Sequence, residues 1–207
     1  MRFVLASSSP ARLRTLRDAG VEPEVVVSGI DEDGVAADST AALVTRLAEA
    51  KAAAVAARIG GPALVMGCDS LLELDGAALG KPGTAAAAAE RWRAMRGRSG
   101  VLHTGHALLD TARGRRAVAG AATTVRFADV TDAEIAAYCA SGEPLQVAGA
   151  FTVDGLGGWF VDSIDGDHHN VVGLSLPTLR KLLAELGYGL TDIGYPHPAA
   201  TSGPAAV

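Results

Sequence analysis

The chain has 207 residues, the size of one α/β domain or of two small domains. Apolar residues make up 49% of the chain and charged residues 20%, a globular composition that argues against disorder along most of its length. The formal charge of −5 provides no basic excess to neutralise a phosphate backbone, so we expect no nucleic-acid polymer as a partner. A small anionic ligand is compatible with this charge, because a few cationic side chains focused in a cleft can outweigh it locally.

The sequence also predicts a cytoplasmic protein without a membrane partner. No apolar run approaches the roughly 20 residues that span a bilayer, and residues 1–6 lack the apolar stretch of a signal peptide. Cys68 and Cys139 provide neither a disulfide framework nor a metal-ligand spacing. We therefore interpret both thiols as buried side chains in a reducing compartment.

The N-terminal half predicts strands that alternate with helices. Ser9 is placed to cap a helix with Pro10 at its first position, and Gly20 ends that helix. The apolar run 63–68 is typical of a strand buried on both faces. In chain order we expect a strand at 3–6, a helix at 10–19, a strand at 24–28, a helix from 39 or 40 to 59, and a strand at 63–68.

The C-terminal half predicts hairpins followed by helices. Asp75–Gly76 signals a hairpin turn, and Thr131–Glu134 reads as a capping box. We expect one mixed α/β domain over residues 1–190, bilobed around a cleft, and a disordered tail at 191–207 whose composition cannot bury an apolar face. The expected elements are a helix at 84–97, two antiparallel strands within 103–127, a helix at 131–141, a strand at 159–164 and a helix at 177–186.

Polar residues follow each of the first three predicted strands. Ser7 to Arg12 follow the first strand, Asp31–Glu32 the second and Asp69–Ser70 the third. Ligands collect beyond the carboxyl ends of strands in open α/β sheets. Serine N–H groups that lead into a helix form an anion cradle, with Arg12 one turn inside the helix. A plain serine cap beside a surface arginine explains the same residues equally well.

Asp69 is the strongest single candidate for chemistry. A carboxylate directly after a buried apolar run is costly to bury unless a metal ion, a cation or water compensates it. Together with Glu32 it can hold a magnesium-type ion, which accepts one or two carboxylates plus phosphate oxygens. The competing interpretation is an aspartate that caps the following turn.

Cations and histidines complete the set of candidates. Lys51 lies within the long helix, where a surface lysine is the default. Lys81 stands between Gly80 and Pro82 in a loop that presents one cation, although the spaced glycines of a P-loop are missing. The histidine pairs His103/His106 and His168/His169 have no HExxH pattern and no supporting cysteines, so we expect no zinc site.

Several of these segments, in this order, resemble the Maf family. The similarity covers about residues 3–186, and several multi-residue motifs in register make coincidence an inadequate explanation. The segments that carry the resemblance are Leu5–Arg12, Asp31–Glu32, Leu47–Ala52, Gly67–Ser70, Leu79–Pro82, His103–Gly105, Tyr138–Pro144, Ala148–Phe151 and Gly166–Leu174.

The resemblance implies a nucleoside triphosphate pyrophosphatase that cleaves between the α- and β-phosphates and releases a nucleoside monophosphate and pyrophosphate. It implies an elongated mixed sheet flanked by helices around a deep cleft, as in the inosine-triphosphate pyrophosphatases. A divalent metal, magnesium or manganese, and a role in nucleotide-pool cleansing or cell-division arrest belong to the same expectation. The implied roles are proton acceptor and metal ligand for Asp69, metal-associated carboxylate for Glu32, and phosphate binding for Ser7, Arg12, Lys51 and Lys81.

Departures from the family pattern leave the preferred base open. Ala11 stands where many members have the first of two arginines, and Ser70 replaces a common threonine. Val147 and Asp154 replace the lysine and glutamine of the pyrimidine-preferring branch. The carboxylate of Asp154 can accept hydrogen bonds from a guanine edge. We therefore expect Ala11, Ser70 and Asp154 to influence substrate specificity, with dTTP or UTP preference in doubt.

Two other functions compete with this expectation. The first is a nucleotide-binding regulator of septum formation without turnover, and the second is a phosphohydrolase acting on a sugar phosphate or nucleotide sugar. We rank the second last because no segment predicts a sugar pocket. The family often dimerises, so a homodimer is among the expected partners, although no apolar stripe specifies an interface.

Overall fold

A seven-stranded mixed sheet forms the centre of the fold in the computed structural model, which describes residues 1–196. Its strands are β1 (Phe3–Leu5), β2 (Glu24–Val25), β3 (Leu64–Leu74), β4 (Ala77–Leu79), β5 (Ser99–Asp110), β6 (Arg115–Phe127) and β7 (Val161–Asp165). The order is β2-β1-β3-β5-β6-β7, with β4 paired to β3. β1 runs parallel to β2 and β3, and the other pairs are antiparallel.

Helices flank this sheet, so the predicted α/β class is confirmed. Each of the six helices named below begins at a serine, threonine or aspartate whose side chain accepts a backbone N–H in the first turn. No helix within residues 1–196 is long and apolar enough to cross a membrane. The helices are α1 (Pro10–Asp18), α2 (Thr40–Ala56), α3 (Ala85–Met95), α4 (Asp132–Ala140), α5 (His168–Val172) and α6 (Leu176–Glu185).

Two glycines bring α2 unusually close to the sheet. A Cβ atom at Gly67 of β3 would lie 2.1 Å from the Ala48 carbonyl oxygen, and one at Gly105 of β5 would lie 2.1 Å from that of Val44. No side chain fits at either position, because real Cβ contacts are never this short. The helix backbone therefore rests directly on β3 and β5, which determines how far its side chains reach.

The opposite face of the sheet carries two separate apolar cores. β3 contributes Met66 and Cys68 to the first core and Leu72 and Leu74 to the second. Asp69 and Ser70 therefore lie in the middle of β3, where one lobe ends and the other begins. We call the two cores the α6 lobe (Leu64, Met66, Leu108, Leu182 and Leu183) and the α3 lobe (Leu72, Trp92, Leu102, Phe127 and Phe151).

Several sequence-based boundaries require correction. The prediction that Asp69 and Ser70 follow a strand is wrong, because the ladder with β5 runs from Leu64 to Glu73 without interruption. The predicted strand 24–28 stops at Val25, since β1 offers it only a short partner. The last strand begins at Val161, because residues 156–160 form a 3-10 helix.

The chain also continues as part of the folded body past the predicted start of its tail. Leu190–Ile193 form a 3-10 helix, and the Ile193 side chain packs into the α6 lobe. The N-terminal ammonium of Met1 donates to the Asp192 carbonyl oxygen at 2.7 Å. The rest of the predicted tail, residues 197–207, lies outside the described residues.

Candidate active site

An opening in the sheet exposes one edge of β3 on both sides of Asp69. β5 pairs with one edge of β3 along nearly its whole length. On the other edge, β1 covers only Leu64–Met66 and β4 covers only Leu72–Leu74. Among residues 1–196, no strand pairs with residues 67–71 on this edge, and polar groups can approach them from the loops that border the gap.

On the α2 face of this opening, one lysine joins two carboxylates. Lys51 Nζ lies 2.5 Å from Asp69 Oδ1 and 2.8 Å from Glu32 Oε1. The side chains of Lys51 and Asp69 are buried, whereas that of Glu32, from the loop before α2, is 52% exposed. The close packing of α2 on Gly67 places Lys51 at this distance. Two carboxylates and one ammonium leave this cluster with one net negative charge.

On the opposite face, Arg12 is buried without a counter-charge. The residue is 8% exposed. Its guanidinium donates from Nε to the Gly173 carbonyl oxygen at 2.7 Å, from Nη1 to Ser7 Oγ at 3.1 Å and from Nη2 to Ser70 Oγ at 3.0 Å. Within residues 1–196 no carboxylate lies within ion-pair distance of it. A buried cation with only neutral partners is costly, and an anionic ligand compensates it.

Local sequence explains why Arg12 points into the opening. Ser9 caps α1 by accepting from the Arg12 backbone N–H at 3.4 Å, and Pro10 occupies the first turn. Arg12 therefore leaves the helix in its first turn, beside the chain that emerges from β1. Ser7 is 6% exposed, and its Oγ also accepts from the Ser9 backbone N–H at 3.2 Å.

The two clusters lie on opposite faces of β3 because side chains alternate along a strand. Asp69 points to α2, whereas Ser70 points to the face that carries Arg12. The sequence predicts that Glu32, Asp69, Lys51, Ser7 and Arg12 converge, and the structure brings them together as two groups joined by two consecutive residues of β3.

Lys81 borders the same opening from the side of β4. Leu79 pairs with Leu72, and a Cβ atom at Gly80 would lie 3.5 Å from Leu71 Cδ2, so the loop that carries Lys81 leaves β4 beside Leu71 of β3. The residue is exposed, and within the described part of the chain its ammonium forms no hydrogen bond or ion pair. The Gly80 carbonyl oxygen accepts from the Gly149 N–H at 3.1 Å and from Arg91, which holds this loop against the α3 lobe. Lys81 is thus a free cation on an anchored loop.

Two of the three predicted specificity residues line a separate cleft. Ala11 and Asp154 border a cleft of about 380 Å³ between α1 and α5, whereas Ser70 lies at Arg12. Arg14 Nη2 lies 3.3 Å from Asp154 Oδ2 across this cleft. No pattern in the sequence distinguishes Arg14, because an arginine on an exposed helix face looks like a solvated side chain.

The oxygen donors at the opening suit a hard divalent cation only in part. Among residues 1–196, no group of three or more His, Cys, Asp or Glu side chains is arranged to hold a metal ion. Glu32 and Asp69 supply carboxylate oxygens, and Lys51 lies between them. Magnesium is commonly held by one or two carboxylates plus substrate phosphates. The donor set therefore fits a metal whose coordination is completed by an anionic ligand.

Comparison with known proteins agrees with the resemblance seen in the motifs. A family model described as Maf-like protein matches residues 2–186. A Streptomyces coelicolor protein named nucleoside triphosphate pyrophosphatase is 62% identical over 197 residues, which cover 94% of this chain and 95% of that protein. A protein of the same name from Saccharopolyspora erythraea is 55% identical over 208 residues, which cover 95% and 98%.

Solved structures give a more distant similarity. A structure of a HAM1 protein from Coxiella burnetii aligns with a TM-score of 0.48 at 19% identity, over 89% of this chain and 99% of that one. The family match and the identities to the two bacterial relatives are decisive without it. The chain belongs to the Maf family.

Proposed function

We propose that the protein is a nucleoside triphosphate pyrophosphatase, which hydrolyses the α–β phosphoanhydride bond and releases a nucleoside monophosphate and pyrophosphate. The observation that carries this proposal is the buried guanidinium of Arg12, whose partners within residues 1–196 are all neutral and which lies across β3 from the Asp69–Lys51–Glu32 cluster. The names of the bacterial relatives support the same activity.

Binding of the leaving pyrophosphate falls to the cationic side of the opening. Arg12 supplies a fixed positive charge, and Ser7 holds the guanidinium through its Oγ. Lys81, which is exposed and free of partners among the described residues, adds a second charge from the facing loop. Phosphoryl chemistry requires mainly positioning and charge neutralisation, so these groups lower the barrier by stabilising charge as the bond breaks.

Proton transfer falls to Asp69. Lys51 holds its Oδ1, which leaves Oδ2 to accept a proton from water. The water oxygen forms a bond to the α-phosphorus, the bridging oxygen leaves with the electron pair of the broken bond as part of pyrophosphate, and the proton passes to the Asp69 carboxylate. Lys51 binds the same carboxylate and therefore acts on the orientation of the base as well as on local charge.

A divalent cation is the implied cofactor. Glu32 and Asp69 would hold magnesium or manganese together with phosphate oxygens of the substrate. When bound, such an ion supplies neutralisation of phosphate charge and polarisation of the scissile bond. The chelator EDTA is expected to abolish turnover, and added Mg²⁺ or Mn²⁺ is expected to restore it.

We assign base selection to the cleft between α1 and α5. Asp154 presents an acceptor and Arg14 a donor at 3.3 Å from each other, which complements a base edge that has both donors and acceptors. Ala11 leaves room beside them, and Ser70 lies next to Arg12. The preferred base, a cytoplasmic location, a homodimer and a role in nucleotide-pool cleansing or cell-division arrest stay predictions.

The test is a turnover panel in ¹⁸O-labelled water. Each common NTP and dNTP is incubated with the purified protein and one fixed metal, and the products are separated and weighed by mass spectrometry. We expect monophosphate and pyrophosphate, with the label in the monophosphate because water attacks the α-phosphorus. Orthophosphate as the product contradicts the proposal, and tight nucleotide binding without turnover supports a binding regulator instead.

A further inference from the structure

Arg12 holds the end of a chain of hydrogen bonds that has only one consistent direction. Arg12 Nη2 donates to Ser70 Oγ at 3.0 Å, and Ser70 Oγ lies 2.9 Å from Thr104 Oγ1. Thr104 Oγ1 donates to the Asn170 carbonyl oxygen at 3.3 Å. Because the Thr104 proton is used in this way, Ser70 donates to Thr104. The chain therefore runs from the guanidinium to a buried carbonyl, with every donor pointing away from the charge.

The α5 segment supplies both the end of this chain and a direct contact. The Gly173 carbonyl oxygen, at the C-terminal end of α5, accepts from Arg12 Nε at 2.7 Å. Gly173 has a φ of +119°, and an added Cβ would lie 3.4 Å from Arg12 Nε. Two of the three groups that hold the guanidinium thus depend on where α5 sits.

The Asn170 side chain anchors α5 to the sheet. It is 0% exposed, and its Nδ2 donates to the Leu102 carbonyl oxygen at 3.1 Å and to Thr123 Oγ1 at 3.0 Å. Thr123 Oγ1 in turn donates to the Asp167 carbonyl oxygen at 3.1 Å. The Asn170 Oδ1 atom is buried and has no partner among the described residues. The two hydrogen bonds that the amide donates are therefore what its side chain contributes to holding α5 on the sheet.

We propose that Thr104 and Asn170 are positioning residues for the phosphate-binding Arg12, acting through Ser70 and Gly173 without touching the substrate. This assignment rests on the proposed function, because it takes Arg12 as the group that binds the phosphates. A guanidinium free to rotate loses part of its advantage over a mobile lysine, since its fixed fork lowers the entropy lost on binding an anion. The hydroxyl chain supplies this rigidity.

The test is a double-mutant cycle read out by ligand binding. Inorganic tripolyphosphate is titrated calorimetrically into the parent protein, Thr104→Val, Arg12→Gln and the double variant. We expect Thr104→Val to weaken binding about tenfold in the parent, as for the loss of a hydrogen bond to a charged network, and Thr104→Ser to restore it. With Arg12→Gln already present, Thr104→Val is expected to change affinity by about twofold at most.

Matched variants separate positioning from a general loss of stability. Thr111→Val removes a hydroxyl that donates to the Ala63 carbonyl oxygen at 3.2 Å, far along the sheet from Arg12, and is expected to leave tripolyphosphate affinity unchanged. Asn170→Leu keeps a similar volume and removes the N–H donors without adding a charge, and we expect a loss in the same direction as Thr104→Val.

The outcomes distinguish this inference from the proposed function. If Thr104→Val weakens tripolyphosphate binding by the same factor in the parent and in Arg12→Gln, the two residues act independently. That result overturns the positioning role. An unchanged affinity in Thr104→Val overturns it as well. Absence of pyrophosphate release by the parent in the nucleotide panel overturns the proposed function, whereas the calorimetric cycle does not require turnover.

Discussion

The two faces of β3 each carry a buried cation, but they differ in the charges that surround it. On the α2 face, Lys51 lies between Asp69 and Glu32, and the cluster carries a net negative charge. On the other face, Arg12 is held by two hydroxyls and a carbonyl, and no carboxylate in the described part of the chain compensates its positive charge. Consecutive residues of one strand therefore separate a cation-attracting group from an anion-attracting group, an arrangement suited to a metal-bound polyphosphate that meets both.

The largest expected effect comes from removing Asp69, the proposed base on the α2 face. Asp69→Asn keeps the shape of the side chain and is expected to lower kcat about a thousandfold, as for loss of a general base, with binding of metal-free nucleotide retained. Steady-state kinetics with the best substrate of the panel provide the measurement.

A buried aspartate in another part of the sheet supplies the control. Asp110 is 1% exposed, accepts from Tyr188 Oη at 2.9 Å and pairs in register with Leu64 rather than with the opening. Asp110→Asn is expected to lower the melting temperature and to leave kcat nearly unchanged. A similar loss of kcat in both variants contradicts a specific role for Asp69.

The charge balance on the α2 face predicts a large stability effect for Lys51. Lys51→Met leaves the buried Asp69 carboxylate without its cation, and breaking a buried ion pair in this way costs about 3–5 kcal/mol. Glu32 is half exposed, so Glu32→Gln is expected to cost about 1 kcal/mol or less. Urea denaturation of the parent and the two variants measures each loss in the free energy of unfolding. Equal losses in the two variants contradict the conclusion that burial makes the Lys51–Asp69 pair the more important one.

On the Arg12 face, burial of His106 and the nearby charge of Arg12 predict a pH dependence of stability. Burial, followed by the charge of Arg12, lowers the pKa of His106 to about 4. The unfolded chain, with a pKa near 6.5, takes up a proton first as the pH falls, so stability present above pH 6.5 is lost between about 6.5 and 4. Linkage puts this loss at about 3 kcal/mol.

Comparison with His106→Gln separates the loss of stability due to His106 from the effects of the other titrating groups. His106 accepts from the Ser175 backbone N–H at 2.8 Å through Nε2, so Nδ1 donates to the Thr104 carbonyl oxygen at 3.1 Å. Glutamine also carries one acceptor and one donor group but does not titrate. The free energy of unfolding of the parent is expected to fall more steeply than that of His106→Gln as the pH decreases from 6.5 to 4, and parallel curves count against the assignment.

The smallest expected effect concerns the exposed cation at the edge of the opening. Lys81→Ala removes a charge that water already screens, so we expect kcat/KM to fall about tenfold and the free energy of unfolding to stay unchanged. Lys181, a lysine of α6, supplies the matched control as Lys181→Ala. Equal kcat/KM in Lys81→Ala and the parent contradicts a role in phosphate binding.

The features of the fold and site that depend on neighbouring residues could be predicted from the sequence. Ser9 and Pro10 fix the start of α1 and so the place of Arg12 in its first turn. The order of strands and helices up to β3 follows from apolar runs and caps. These features depend on neighbours a few residues apart, which is the range that patterns of residues report.

The contacts between residues far apart in the chain could not be predicted. Arg12 and Gly173 are separated by 161 residues, and no local pattern joins them. Asp69 lies in mid-strand because β5 continues past it, yet a polar residue after an apolar run reads as the end of a strand. Thr104 and Asn170 belong to recognisable motifs, but their hydrogen bonds to each other and to Ser70 require the folded sheet.

The separation of tasks between the two faces is tested most directly by nucleotide affinity in two variants. A non-hydrolysable α,β-methylene analogue of the preferred nucleotide is titrated, in EDTA so that no metal contributes to binding, into Asp69→Asn and Arg12→Gln. Arg17→Gln is the control because Arg17 is exposed on the same helix and paired with Glu22 at 2.6 Å. We expect Arg12→Gln to lose about a hundredfold in affinity, for removal of a charge-assisted contact, and the other two variants to stay close to the parent. Full affinity in Arg12→Gln, or a comparable loss in Arg17→Gln, contradicts the account.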